Sequence, residues 1–107
     1  MIIDKKKISL WSKMGSRATF GLTLMDIIKE IEDLMVVTCD VSTSAGLDRF
    51  KKTYPSNYID VGIAEQNMIG IATGISLFGS KVITTTFSPF QTLRCCEQIK
   101  NNLGYMN

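Results

Sequence analysis

Three short runs rich in apolar and β-branched residues place the strongest constraint on how this chain folds. They span residues 34–39, 58–61 and 82–87. Such runs are typical of strands that are covered on both faces in a parallel sheet. Parallel strands need long crossover connections, which are usually helices. We therefore predict an α/β fold with three layers, in which helical crossovers cover a mainly parallel sheet.

The segments around these runs carry helix signals. The first has an apolar face at three- and four-residue spacing, made of Phe20, Leu24, Ile27, Ile28 and Ile31. With Ser16 as its N-cap, this helix is predicted to begin near Arg17 and to end near Asp33. Further helical segments are predicted over 47–52, over 64–78 and from Pro89 to about Lys100. In the 64–78 helix, Gly70 and Gly74 leave room for another backbone to approach.

The length of 107 residues suits one small domain or a piece of a larger one. Residues 1–16 are basic and end in Gly15-Ser16, so we predict an N-terminal arm there and a domain over 17–107. The chain stops after Leu103-Gly104-Tyr105-Met106, a run that could begin another strand. We therefore expect the domain to be partial.

Composition excludes several classes of function. The net charge of +2 is too small to indicate binding to nucleic acid or to an anionic membrane, and no segment is apolar for long enough to span a bilayer. The three cysteines are an odd number and two are adjacent, which favours a reduced, cytoplasmic protein. Because the chain has no histidine and no Cys-x-x-Cys, we predict no metal site and no histidine-dependent triad.

Glu65 is the strongest candidate for a catalytic residue. It lies within 60–68, in a run that is otherwise largely apolar and contains Gly62, at the predicted start of the 64–78 helix. A charge in such surroundings is costly to bury, and an acid held there suits proton transfer. The alternative is structural, because a glutamate in the first turn of a helix interacts favourably with the helix dipole.

Polar residues follow the first predicted strand. Asp40 ends that strand, and Ser44 lies in the small-residue loop after it. In open α/β sheets, ligands bind beyond the carboxyl ends of the strands, so both residues are candidates for ligand contacts. They could equally be a strand-end acid and a capping hydroxyl.

The two phenylalanines after the third strand and two arginines elsewhere in the chain each have two interpretations. Phe87 and Phe90, three residues apart around a turn, could enclose a flat ring or belong to the core. Arg17 and Arg94 could bind a phosphate or form ordinary ion pairs. The adjacent cysteines at 95 and 96 are predicted to be packing residues.

Taken together, these segments resemble the pyrimidine-binding domain of transketolases, above all the separate C-terminal subunit of split bacterial transketolases. The matching segments are Tyr54–Met68 with its Gly-Ile-Ala-Glu-Gln, then 70–74, then Thr86-Phe87-Ser88-Pro89-Phe90, and finally Glu97-Gln98-Ile99. The resemblance covers residues 15–105 approximately, and deoxyxylulose-phosphate synthases share much of the pattern. It implies a thiamine-diphosphate-binding fold.

The resemblance also implies roles for the site residues. Glu65 would face the ring nitrogen of the cofactor's aminopyrimidine, and sharing a proton there would activate the cofactor. Asp40 would lie near the thiazolium ring, and Phe87 and Phe90 would pack on the pyrimidine.

For the substrate, the resemblance implies that Ser44 and Arg17 contact a sugar phosphate, although the arginine does so only in some members of the family. Transketolases often have a tyrosine at the position of Leu93, so the substrate pocket here is expected to differ in shape.

The chain lacks the family's Gly-Asp-Gly motif for diphosphate and magnesium, and its active-site histidines. The resemblance therefore implies an N-terminal partner subunit that binds diphosphate and magnesium, a homodimer of the pair, and transfer of a two-carbon ketol unit between sugars. Three alternatives remain: a deoxyxylulose-phosphate synthase-like enzyme, a β subunit of a 2-oxoacid dehydrogenase, or a truncated interaction domain without catalysis.

Overall fold

A computed structural model describes residues 3–105 of the chain. Its helices are α1 (Lys5–Met14), α2 (Ser16–Ile27), α3 (Asp48–Thr53), α4 (Glu65–Leu77), α5 (Ser88–Thr92) and α6 (Cys96–Gln98). Its strands are β1 (Leu34–Thr38), β2 (Tyr58–Asp60) and β3 (Lys81–Thr85). A 3₁₀ turn (Pro55–Asn57) precedes β2, and a π-helical segment (Ile99–Tyr105) ends the described chain.

The three strands form one parallel sheet in the order β2-β1-β3. The middle strand pairs on both sides, with Val37 opposite Ile59 of β2 and opposite Thr84 of β3. The predicted parallel sheet is therefore confirmed. Each strand ends one or two residues before its predicted end, so Cys39, Val61 and Thr86 belong to the loops at the carboxyl edge.

Helices cover both faces of the sheet, which confirms the predicted three layers. Alternate residues of β1 point to opposite faces, as the pleat requires. On one face the core contains Leu24, Ile28, Leu34, Val36, Leu47 and Phe50. On the other it contains Val37, Cys39, Met68, Ile69 and Cys95. The first core joins the sheet to α2 and α3, and the second joins it to α4 and the C-terminal segment.

The end of α2 differs from the prediction. The helix stops at Ile27 instead of near Asp33, and Gly15, with φ +77°, is its N-cap while Ser16 is its first residue. After Ile27 the chain forms turns closed by hydrogen bonds between residues three apart, such as the one from Glu30 N–H to the Ile27 carbonyl at 2.9 Å. Pairing to the sheet already begins at Asp33, whose carbonyl accepts from Lys81 N–H at 3.0 Å, so the strand ends the helix early.

The single C-terminal helix that the sequence predicts is also broken. It divides into α5, a turn at 93–95, α6 and the π-helical segment. The backbone N–H groups of Leu93 and Arg94 both donate to the Pro89 carbonyl, at 3.2 and 3.4 Å, which departs from the regular helical pattern. Residues 103–105 are π-helical and form no strand, and Met106 lies outside the described residues.

The predicted N-terminal arm contains a helix, α1, none of whose residues is buried. The Asp4 side chain caps it by accepting from Lys7 N–H at 2.8 Å. The ammonium group of Lys7 lies 2.7 Å from the Asp26 carboxylate on α2. The hydrogen bond from Lys7 lowers the pKa of Asp26.

No helix within residues 3–105 is long and apolar enough to cross a bilayer.

Close backbone packing occurs between α2 and the loop after β1. A side chain at Gly21 would collide with the Gly46 carbonyl, and one at Gly46 would collide with the Arg17 carbonyl. By contrast, a side chain at Gly74 would meet no neighbouring element of residues 3–105 within 4 Å, and one at Gly70 would meet the Asn102 side chain at 4.0 Å. The close approach that the sequence suggested for α4 is therefore found at α2.

Candidate functional site

Glu65 is the first residue of α4 and is only 5% exposed, as its apolar flanks predict. The short loop from β2 brings it there through Gly62, which adopts φ +71°. Ala64 precedes the helix and provides no side-chain cap. The carboxylate is paired: Arg94 Nη1 donates to Glu65 Oε2 at 2.9 Å.

Two buried thiols lie in the core next to this acid. Burial raises the pKa of the Cys39 thiol and that of the Cys95 thiol, and the negative charge of Glu65 raises both further. Cys39 Sγ contacts Met68 Sδ at 3.4 Å, and Cys95 Sγ donates to the Phe90 carbonyl at 3.2 Å. Both cysteines are packing residues with protonated thiols, whereas Cys96 is exposed, contrary to the prediction.

Glu65 borders a small pocket at the carboxyl edge of the sheet, with a volume of ≈ 150 Å³. Its lining residues come from the loops after β1 and β3, from the loop before α4 and the first residue of that helix, and from α5. They are Cys39, Asp40, Val41, Ile63, Glu65, Thr86, Phe87 and Phe90. The four residues for which the resemblance implied cofactor contacts therefore lie around one pocket, which we call the edge pocket.

The two phenylalanines of the edge pocket are not core residues. Phe87 is 45% exposed and Phe90 36% exposed. Their ring centroids are 6.2 Å apart and the rings are nearly perpendicular, at 80°. They cannot enclose a flat ring between parallel faces in this arrangement. The guanidinium carbon of Arg94 lies 4.4 Å from the Phe90 ring centroid, which is a cation–π contact.

Asp60 organises the edge pocket, although its position in the sequence did not single it out. Its Oδ1 accepts from Asp40 N–H at 2.8 Å and from Gly62 N–H at 3.1 Å. These bonds join the end of β1 to the loop before α4, and they hold Asp40 in a left-handed conformation at φ +52°. The sequence signal that could have identified Asp60 is the Asp-x-Gly spacing at the end of a strand, which is typical of an Asx turn.

A larger pocket of ≈ 440 Å³ adjoins the edge pocket. It contains Arg17 and Ser44, the two residues assigned to the substrate, and it shares Val41, Thr86 and Phe87 with the edge pocket. The close contact of Gly21 with Gly46 holds the loop that carries Ser44 against α2. The structure thus groups the predicted cofactor and substrate residues in two neighbouring pockets.

Two further properties of the site concern possible ligands. No cluster of acidic or cysteine side chains within the described part of the chain could hold a metal ion. Thr86 Oγ1, between the two pockets, is buried and has no hydrogen-bond partner among residues 3–105.

Comparison with known proteins finds clear relatives. The profile of the family described as "Transketolase, pyrimidine binding domain" matches residues 12–107. A putative transketolase C-terminal section of Methanocaldococcus jannaschii is 38% identical over 91 residues, which are 85% of this chain and 29% of that protein. One of the apulose-4-phosphate transketolase subunits of Phocaeicola vulgatus is 35% identical over 86% of this chain and 30% of its own length.

A solved structure described as a split gene transketolase, inactive beta4 tetramer, superposes with a TM-score of 0.71 at 34% identity. The match covers 80% of this chain and 29% of that chain. A 1-deoxy-D-xylulose-5-phosphate synthase of Prochlorococcus marinus is 34% identical over 82% of this chain and 14% of its own length. The chain thus spans less than a third of the length of these relatives.

Proposed function

Because the chain belongs to the transketolase pyrimidine-binding domain family, we propose that it provides the pyrimidine half of a thiamine diphosphate site. The enzyme would transfer a two-carbon ketol unit between sugar phosphates or related sugars. One observation carries the proposal: a buried carboxylate, Glu65, borders an aromatic-walled pocket at the carboxyl edge of a parallel sheet.

The edge pocket fits an aminopyrimidine chemically. Such a ring has flat apolar faces and polar nitrogens at its rim. Phe87 and Phe90 supply aromatic surface, and Glu65 supplies an anionic acceptor for a ring nitrogen. Asp40 lies at the same pocket, on the side of the β1 end.

When bound, thiamine diphosphate supplies a thiazolium carbon that acts as a nucleophile after losing its proton. Glu65 would promote that loss by holding a proton at the ring nitrogen of the aminopyrimidine. Its burial matters because water would compete for this contact and because a low dielectric strengthens it. Diphosphate and magnesium would be bound mainly by the partner.

The site is open to a partner subunit. Ile63, which lines the edge pocket with Glu65, is 80% exposed. Leu93, which is next to Arg94 in the chain, is 78% exposed, and Phe87 adds further apolar surface. Exposed apolar groups beside a polar site are typical of a protein–protein interface. A related chain forms a beta4 tetramer described as inactive. We therefore propose that activity requires an N-terminal transketolase subunit, that the pair forms a homodimer, and that the enzyme is cytoplasmic.

The adjoining pocket is the proposed place of the sugar. Arg17 would pair with an anionic group of the substrate, and Ser44 would donate or accept a hydrogen bond.

A synthase-type reaction is the second candidate function, supported by the 34% identity to a 1-deoxy-D-xylulose-5-phosphate synthase. Product analysis separates the two candidate reactions. The synthase-type reaction would yield 1-deoxy-D-xylulose 5-phosphate, whereas ketol transfer would yield a sugar that has gained the two-carbon unit.

Glu65→Gln in the full assembly tests the proposal. The variant should bind thiamine diphosphate nearly as well as the parent does, because shape and aromatic contacts are retained. Hydrogen–deuterium exchange at the thiazolium carbon should slow by about 10²- to 10⁴-fold, the scale of general acid–base catalysis. Glu32→Gln, an exposed glutamate in the turn before β1, is the matched control. Unchanged exchange in Glu65→Gln would remove Glu65 from this role.

A further inference from the structure

Within the described chain, Arg94 is the sole hydrogen-bond partner of the Glu65 carboxylate. Its Nη1 donates to Oε2 at 2.9 Å, while Oε1 accepts no hydrogen bond from residues 3–105. The arginine side chain is 47% exposed, whereas that of the glutamate is 5% exposed. The pair thus joins a buried anion to a cation at the surface.

The local fold holds Arg94 in place. The carbonyl of Arg94 accepts from the Gln66 side chain at 3.2 Å, which ties the 93–95 turn to the first turn of α4. The guanidinium also lies over the Phe90 ring, with 4.4 Å between the guanidinium carbon and the ring centroid. Because the C-terminal helix breaks at this turn, Arg94 reaches an acid that is 29 residues earlier in the chain.

Arg94 and the edge pocket contact Glu65 from different sides. The edge pocket is lined by Glu65 but not by Arg94. A third cavity, of ≈ 330 Å³, is lined by both Glu65 and Arg94. Its other lining residues are Ile63, Ala64, Gln66 and Asn67. The guanidinium therefore binds the carboxylate without occupying the edge pocket.

We propose that Arg94 is the positioning residue of the proposed cofactor-activating acid: it binds Oε2 of Glu65 and leaves Oε1 for the pyrimidine. This inference rests on the proposed function. A charge-assisted bond to one oxygen restricts rotation of the carboxylate and offsets the cost of burying its charge. Proton transfer depends steeply on such alignment, so the effect of Arg94 passes through Glu65.

The test uses the full assembly with its partner subunit and compares Arg94→Met with Arg94→Lys. Arg94→Met should slow hydrogen–deuterium exchange at the thiazolium carbon by about 10- to 100-fold, the range expected for lost alignment. Arg94→Lys should recover part of that loss because it restores a cation. The dissociation constant of thiamine diphosphate should change far less than the exchange rate.

A double variant and a spectroscopic measurement identify the route of the effect. In a Glu65→Gln background, Arg94→Met should slow exchange no further. In the cofactor-free assembly, the ¹³C resonance of the Glu65 carboxyl, assigned by its loss in Glu65→Gln, should move in Arg94→Met. It should stay in place in Arg49→Met, which removes an exposed guanidinium on α3.

The outcomes separate this inference from the proposed function. Normal exchange in Arg94→Met, with slow exchange in Glu65→Gln, would overturn the positioning role and leave the proposed function standing. Additive losses in the double variant would mean that Arg94 acts on the cofactor directly, which also overturns it. Normal exchange in Glu65→Gln would overturn both.

Discussion

At the scale of single residues, the carboxyl edge of the sheet is built by acids with different tasks. Asp60 accepts two backbone N–H groups through Oδ1 and shapes the loop, whereas Glu65 is held by one side chain and borders a pocket. Asp60 also approaches Tyr58, whose hydroxyl donates to Oδ2 at 3.3 Å. An acid whose acceptors are occupied by backbone is structural, and this distinguishes it from Glu65.

Tyr58 provides a pH-dependent test of this arrangement. Partial burial and the nearby charge of Asp60 raise the pKa of Tyr58 from 10.0 to about 12. The folded protein thus retains a phenolic proton that the unfolded chain loses, so stability should fall as pH rises from 10.0 toward about 12. An ultraviolet titration should show one late tyrosine that Tyr58→Phe removes. A late step that persists in Tyr58→Phe would contradict the assignment.

At the scale of secondary-structure elements, the position of α2 depends on contact between two glycines. Gly21 lies inside the helix, and a side chain there would meet the Gly46 carbonyl. Gly74 lies inside α4, with nothing within 4 Å of the place a side chain would take. The same substitution at the two sites therefore separates helix propensity from packing.

Gly74→Ala should stabilise the chain by about 0.5–1 kcal/mol, because alanine favours helix more than glycine does. Gly21→Ala should destabilise it by about 1–3 kcal/mol, because the collision requires α2 or the loop to shift. Chemical denaturation of the purified variants measures both changes. Equal effects at the two positions would show that the contact between α2 and the loop is not tight.

At the scale of the whole molecule, the proposed site would be half of a cofactor site, and it has an apolar margin. Ile63, which lines the edge pocket with Glu65, and Leu93, which is next to Arg94 in the chain, are both exposed. A partner that covers this margin would bury the apolar groups and exclude water from the edge pocket. We therefore expect no ketol transfer from the chain alone, whereas the full assembly with the partner subunit should show it.

Ile63→Asp tests where that partner binds. A buried aspartate without a counter-charge should weaken assembly at least tenfold, measured as the dissociation constant between the two subunits. Ile31→Asp, in the turn at the opposite edge of the sheet, is the control and should assemble normally. Equal weakening by both variants would indicate loss of folding, and normal assembly of Ile63→Asp would place the interface elsewhere.

Local pattern determined much of the fold. Apolar, β-branched runs predicted all three strands within two residues, and the helix predicted over 64–78 matches α4 within one residue at each end. The grouping of Asp40, Glu65, Phe87 and Phe90 follows from sheet topology, because loops after neighbouring parallel strands meet at one edge. These features depend on the chain's own periodicity and on the geometry of parallel sheets.

Tertiary contacts decided the rest. Sheet pairing at Asp33 ended α2 early, and the 93–95 turn, tied to Gln66, broke a segment whose sequence favours a continuous helix. The same break brought Arg94 to Glu65, a pairing that no local spacing encodes because 29 residues separate the two. The chemistry of the acid was thus visible in the sequence, but its partner was set by long-range packing.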